Sequence, residues 1–161
     1  MEWPEEPLPT RTTDRLQRIL KEGDGPFLLG ACQTLVESGR ILLERSEPAD
    51  NTFRGLWALL PDSTRKQIKM TTFAYSNTLG FDLLAMPKLP ESMRGYLTED
   101  QARDYPESRY ERELQVAVEM GDQAALDRLL WRRSSSETLR LAFWLVIGAL
   151  VLSFASKFLL R

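Results

Sequence analysis

From Leu141 to Ser156 the chain reads LAFWLVIGALVLSFAS, sixteen residues without a charge. As a helix this run is about 24 Å long at ~1.5 Å per residue. A bilayer's hydrocarbon core is about 30 Å thick, so the run spans it when extended to Leu139 and Leu160. Arg140 and Lys157 then snorkel towards the headgroups, and Phe143 and Trp144 sit near one interface, where amphipathic rings are favoured. A helix apolar on every side is otherwise found buried inside a large protein, and the rest of this chain is too short to surround one. The sequence therefore predicts a single transmembrane anchor over residues 139–160, with Arg140, Trp144 and Lys157 as membrane-interface residues and the lipid bilayer as the first partner.

Only Arg161 follows Leu160, so the expectation is a tail anchor inserted after synthesis, with the preceding residues left in the cytosol. Arg132, Arg133 and Arg140 agree with the excess of basic residues on that side. A short, moderately apolar helix with basic flanks points to the mitochondrial outer membrane, with the thin bilayer of the endoplasmic reticulum as the alternative. Met1 to Thr13 is acidic and proline-bearing and lacks the apolar core of a secretory signal.

The 161 residues are enough for one compact domain plus the anchor. There is no histidine, which removes Ser-His-Asp and Cys-His arrangements and every imidazole ligand. Cys32 is the only cysteine, so no intrachain disulfide and no cysteine-based zinc site can form. P-loop, GxGxxG, GxSxG and EF-hand patterns are absent. A net charge of -2 argues against nucleic-acid binding. The expectation is no enzyme, no cofactor, no metal and no nucleic-acid partner. Glu99–Asp100, the best carboxylate pair, is explained by the dipole at a helix start.

Along the chain, residues 1–11 (MEWPEEPLPTR) hold three prolines and three glutamates and read as a flexible lead-in. Residues 12–133 read as a cytosolic helical domain and 134–138 as a juxtamembrane linker. Thr12 or Thr13 caps a first short helix that Gly23 and Gly25 stop. Pro26 opens a second, expected to run to about Glu44 with Leu28, Cys32, Leu35, Gly39 and Leu42 at helical spacing. Gly39, in mid-helix on this reading, marks a close helix crossing. Asn51 caps a third helix that Pro61 ends. Ser63 starts a fourth through Tyr75, and Thr78 to Met86 is apolar enough for a central core helix. Thr98 and Gln101 have capping-box spacing, and a long helical region follows from about Pro106. No stretch shows sustained period-two alternation, so the predicted fold class is all-α: a compact helical bundle followed by a single transmembrane helix.

Two short segments echo each other. Leu16-Gln17 and Leu114-Gln115 are each followed at the same offset by Gly-Asp, as Gly23-Asp24 and Gly121-Asp122. LQVAVEMGDQAALDRLL (114–130) resembles the helix pair of an ankyrin repeat, without a second copy. LKEGDGPF (20–27) resembles the death motif of the Bcl-2 family of apoptosis regulators, with one residue deleted and one inserted. AVEMGD (117–122) keeps that motif's spacing, with alanine in the leucine position, and the family's Asn-Trp-Gly-Arg signature is absent. The resemblance implies a tail-anchored helical bundle of similar size, as in divergent viral members. It further implies control of cell death at the mitochondrial surface, through a groove that accepts an amphipathic helix of a protein partner. Phe53, Trp57, Phe73 and Tyr75 are the candidate lining of that groove. The alternative is that these aromatics fill the core.

The expected function class is a tail-anchored protein acting by protein-protein interaction at a cytosol-facing organelle surface. The alternative is a viral or cellular accessory membrane protein that assembles or remodels membranes through its anchor. Gly148, Ala149, Ser153 and Ala155 offer that second reading a small-residue face for helix pairing.

Overall fold

A computed structural model describes residues 10–89 and 94–131. They belong to one compact unit, which ends at Trp131. Two helices open the chain, α1 (Thr13–Glu22) and α2 (Gly25–Val36), followed by strand β1 (Arg40–Glu44). Then come α3 (Asp50–Leu59), α4 (Asp62–Arg65), β2 (Met70–Thr71), β3 (Leu83–Met86) and β4 (Tyr96–Leu97). Helices α5 (Glu99–Arg103), α6 (Arg109–Glu119) and α7 (Gln123–Leu130) close the unit. The strands form one sheet in the order β2-β3-β1-β4, and every pairing is parallel.

The all-α expectation is thus wrong: the unit is α/β, a sheet among helices, not a helical bundle. The error lies in the alternation test. In a parallel sheet both faces are covered, so strands read as continuous apolar runs instead of alternating ones. Ile41, Leu42 and Leu43 are all buried, as are Leu83, Leu84, Ala85 and Met86. Ile41, Leu43, Leu83 and Ala85 point into the main core with the helices. Leu42, Leu84 and Met86 point to the other face, where Phe81, Leu89 and Tyr96 cover them in place of a helix. Register pairs Ile41 with Leu83 and Leu43 with Ala85, so both faces stay in phase.

Several helix boundaries follow from the sequence. Thr12 caps α1, accepting from Arg15 N. Pro26 sits in the first turn of α2, and the Thr98–Gln101 capping box opens α5. The echoed Gly-Asp pairs are helix-to-helix corners: Asp24 caps α2 through Phe27 N, and Asp122 caps α7 through Ala125 N. A capping carboxylate satisfies an orphan N–H of the next helix, which explains the echo without an internal repeat. The 114–130 segment is indeed a helix pair, turned at Gly121 with φ +67°.

Helix α2 ends at Val36, eight residues before the expected end. It stops in a Schellman motif, with Gly39 N–H donating to Thr34 O (2.8 Å) and Ser38 N–H to Leu35 O (3.2 Å). Ser38 takes the left-handed position at φ 67°, where glycine is usual. Ser38→Gly is therefore expected to stabilise the unit by about 0.5–1 kcal/mol, the left-handed strain removed minus the added freedom of the unfolded chain. An unchanged or lowered urea midpoint for that variant counts against this assignment. Gly39 lies beyond the helix, not in its middle. The close crossing is at Gly30, where a Cβ would stand 2.0 Å from Ala102 O in α5.

Among the described residues no helix is long and apolar enough to cross a membrane. The expected anchor over 139–160, its interface residues Arg140, Trp144 and Lys157, and the linker 134–138 lie outside the described residues. So does most of the lead-in.

Candidate interaction surface

Adjacent parallel strands require the chain to travel back along the sheet between them. Between β2 and β3 it does so through residues 72–82, without a helix. That return loop begins as an extension of β2, with Ala74 N–H donating to Ala85 O at 2.9 Å and Thr72 O accepting from Ala49 N–H at 3.0 Å. It ends in a side-chain clamp. Asn77 Oδ1 accepts from Phe81 N–H (2.7 Å), and Asn77 Nδ2 donates to the Tyr96 hydroxyl (2.6 Å). That hydroxyl in turn donates to Phe81 O (2.6 Å). Gly80, at φ +65°, makes the tight bend inside the clamp.

The loop carries two of the four candidate aromatics. Phe73 and Tyr75 form an edge-to-face pair, centroids 5.3 Å apart and planes at 86°. Tyr75 is 82% exposed and Leu79 is 70% exposed. Single exposed apolar side chains are common on folded proteins; Tyr75 and Leu79 share one short loop, which makes that loop the candidate surface. Phe53 is elsewhere: it is 1% exposed in the main core, so it fills the core instead of lining a groove. Trp57 is half-buried on α3, with the Arg65 guanidinium 5.2 Å from its ring centroid. The expected four-residue lining is therefore not one surface.

A second cluster gathers Arg11, Asp62, Arg65, Tyr110 and Cys32 at the end of α3. The last carbonyls of a helix have no partner within it. Here Arg65 donates to Trp57 O, the Tyr110 hydroxyl to Leu59 O and Arg11 to Leu60 O. Asp62 lies between the two guanidiniums, pairing with Arg11 and, at 3.6 Å, with Arg65. Burial first, and then the neighbouring Arg11 charge, pull the Arg65 guanidinium down to about 10, so it stays cationic at neutral pH. The cluster caps the helix end, where cations also meet the favourable end of the dipole.

Cys32 is fully buried, its Sγ 3.9 Å from Leu56 O. Burial, reinforced by the Glu111 charge, pushes its thiol far up, which leaves little of the nucleophilic thiolate. Among the described residues no three His, Cys, Asp or Glu side chains gather to hold a metal ion.

In the first turn of α6, Glu111 Oε2 is buried without a hydrogen-bond partner among the described residues. Burial, and secondarily Glu107, raise its carboxyl above the usual range. A raised folded-state value means that stability increases as pH falls through it, since the folded form takes the proton first. Glu111→Gln is expected to raise the thermal midpoint at neutral pH. That gain shrinks in acid, where the protonated wild-type carboxyl is already neutral. A variant no more stable than wild type at neutral pH overturns the assignment.

No family model, curated protein or solved structure matches this chain.

Proposed function

We propose that this is a membrane-tethered interaction protein. On this reading residues 139–160 anchor it and the α/β unit is displayed on the cytosolic face of the membrane, where the 72–82 loop engages a protein partner. The observation that supports the interaction half is the exposed Tyr75, edge-on against Phe73 in a loop whose far end the Asn77–Tyr96–Phe81 hydrogen bonds close. A pre-ordered aromatic loses little conformational freedom on binding, so more of its contact energy appears as affinity. The anchoring half rests on the uncharged run of residues 141–156, which lies outside the compact unit that ends at Trp131.

The α/β sheet departs from the helical bundle that the Bcl-2 resemblance implies, and Phe53 is unavailable to a groove. The proposal therefore stands on the loop and the anchor. Tethering confines the loop to a surface and raises its effective concentration for a partner on the same membrane.

The test is localisation of an N-terminal fluorescent fusion, with and without residues 134–161, combined with proximity labelling by wild type and Tyr75→Ala. The expected result is a membrane pattern lost on truncation, mitochondrial rim staining before reticular, and a set of labelled neighbours depleted by Tyr75→Ala. Diffuse staining of the full chain overturns the anchor. Neighbours unchanged by Tyr75→Ala overturn the loop.

A further inference from the structure

Helix α6 carries its exposed charges against its own dipole. A helix favours acids in its first turn and bases in its last. On the solvent side of α6, Arg109 and Arg112 stand at the start and Glu119 at the end, and the last turn holds no base. The acid of the first turn, Glu111, is half-buried. Two apolar groups one turn apart share the outer side: Val116 is 52% exposed and Met120 is 79% exposed. Tyr110, Leu114, Ala117 and Val118 hold the opposite side in the core. Offsets of three and four therefore put residues 109, 112, 116 and 119 on one outward stripe.

Internal ion pairs do not use up these charges. Arg109–Glu113 (2.5 Å) and Arg112–Glu107 (3.2 Å) are exposed pairs, which are worth little in water. Glu119 accepts from Gln115 Nε2 (2.9 Å) and joins no ion pair among the described residues. Arg109, Arg112, Glu113 and Glu119 sum to zero, so a partner of uniform charge gains nothing from the stripe as a whole. A partner whose charges run in the opposite direction does gain. A second copy of α6 supplies that partner, because a two-fold axis reverses the direction of the same stripe.

We propose that α6 is a self-association surface, on which two copies of the chain pair antiparallel about a two-fold axis near Val116. The basic end of each stripe, Arg109 and Arg112, then faces the acidic end of the other at Glu119. Val116 and Met120 lose water against the second copy, and the two helix dipoles oppose each other. The stripe is on a different element from the 72–82 loop, and the inference rests on neither the loop nor the anchor. One helix face is small beside the roughly 1,200 Å² of a stable interface, so the pair is weak and forms at high local concentration.

The test uses the full chain in mild detergent with a short bismaleimide crosslinker. Cys32 is buried, so Val116→Cys supplies the one accessible thiol, beside the axis. Arg18→Cys, on the exposed side of α1, is the comparison site. The expected result is a covalent dimer at position 116 and little at 18, with a yield that falls on dilution. In the Val116→Cys chain, reversing the basic end (Arg109→Glu with Arg112→Glu) or the acidic end (Glu119→Arg) is expected to weaken the pair about ten-fold. All three reversals together put opposite charges face to face again and restore the dimer. Urea midpoints near that of the parent chain show that these exposed substitutions keep the fold. Equal yields at 116 and 18 overturn the proposal. So does a dimer at 116 that ignores reversal of either end, or that the combined exchange fails to restore. A dimer seen by sedimentation without crosslinking at 116 is contact through another part of the chain, and overturns it as well.

Discussion

Gly30→Ala is expected to cost the α/β unit about 2 kcal/mol or more, although alanine is the better helix former. The gain from propensity is about 1 kcal/mol in a helix interior. Against it stands a Cβ placed 2.0 Å from Ala102 O and 3.1 Å from Ala102 C. Both are backbone atoms of α5, so neither moves without the whole short helix. Inserting a methyl group into packed structure costs about 1–3 kcal/mol where side chains can yield, and more where they cannot. α5 also carries Arg45–Glu99 and Arg103–Asp24, two ion pairs that tie it to the residue just after β1 and to the cap of α2. Displacing it strains both.

Gly55→Ala supplies the comparison within the same protein. It lies inside α3, and its added Cβ would meet Ile19 Cγ2 at 3.3 Å and Leu28 side-chain carbons at 3.6 and 3.9 Å. These are flexible ends, so the propensity gain offsets a small adjustment and the net change is expected within about 0.5 kcal/mol. Equilibrium urea unfolding of the full chain in mild detergent reads both variants. Equal midpoints for the two would show that α5 does not press on α2 at Gly30.

Gly30 also shows what was legible in the sequence. Nothing distinguishes GPFLLGACQTLV from a helix with a tolerated glycine, because the atom that forbids a Cβ belongs to a residue 72 positions later. Local chemistry was readable: Thr12, Pro26, Thr98 with Gln101, and the region of α6 and α7 are set by residues within one turn of one another. The sheet was not. Arg40-Ile-Leu-Leu-Glu44 and Leu83-Leu-Ala-Met86 are leucine-rich, four or five residues long and buried on both sides. They lack both the alternation and the β-branched bias that mark a strand. Placed beside α2, β1 could be read as its continuation, since leucines at 35, 42 and 43 also fit a helical face. The break is made by Ser38 and Gly39, whose left-handed turn becomes visible only in the hydrogen bonds to Thr34 and Leu35. The candidate site divides the same way. Tyr75 and Phe73 were identified by residue type, but their exposure depends on a return loop between strands that the sequence did not reveal.

The same division yields the sharpest test of the proposed interaction surface, because Phe53 and Tyr75 look alike in the sequence and differ most in the structure. Phe53 is 1% exposed in the main core. Truncating it removes a large buried ring and leaves a cavity, at a cost of about 3–5 kcal/mol. That is a large part of the stability of a small domain, so Phe53→Ala is expected to lower the urea midpoint sharply and to lose partner capture only as the fold is lost. Tyr75→Ala removes a ring already in water. Its stability is expected to stay within about 0.5 kcal/mol of wild type, with the edge-on contact to Phe73 lost. If Tyr75 is a central anchor of the interface, its truncation costs about 2 kcal/mol of binding, near a thirty-fold loss of affinity. Phe53→Leu, which keeps most of the buried volume, is expected to retain binding and so separates folding from recognition. A Tyr75→Ala protein that binds its neighbours as wild type does, while Phe53→Leu does not, would move the surface off the 72–82 loop and onto α3.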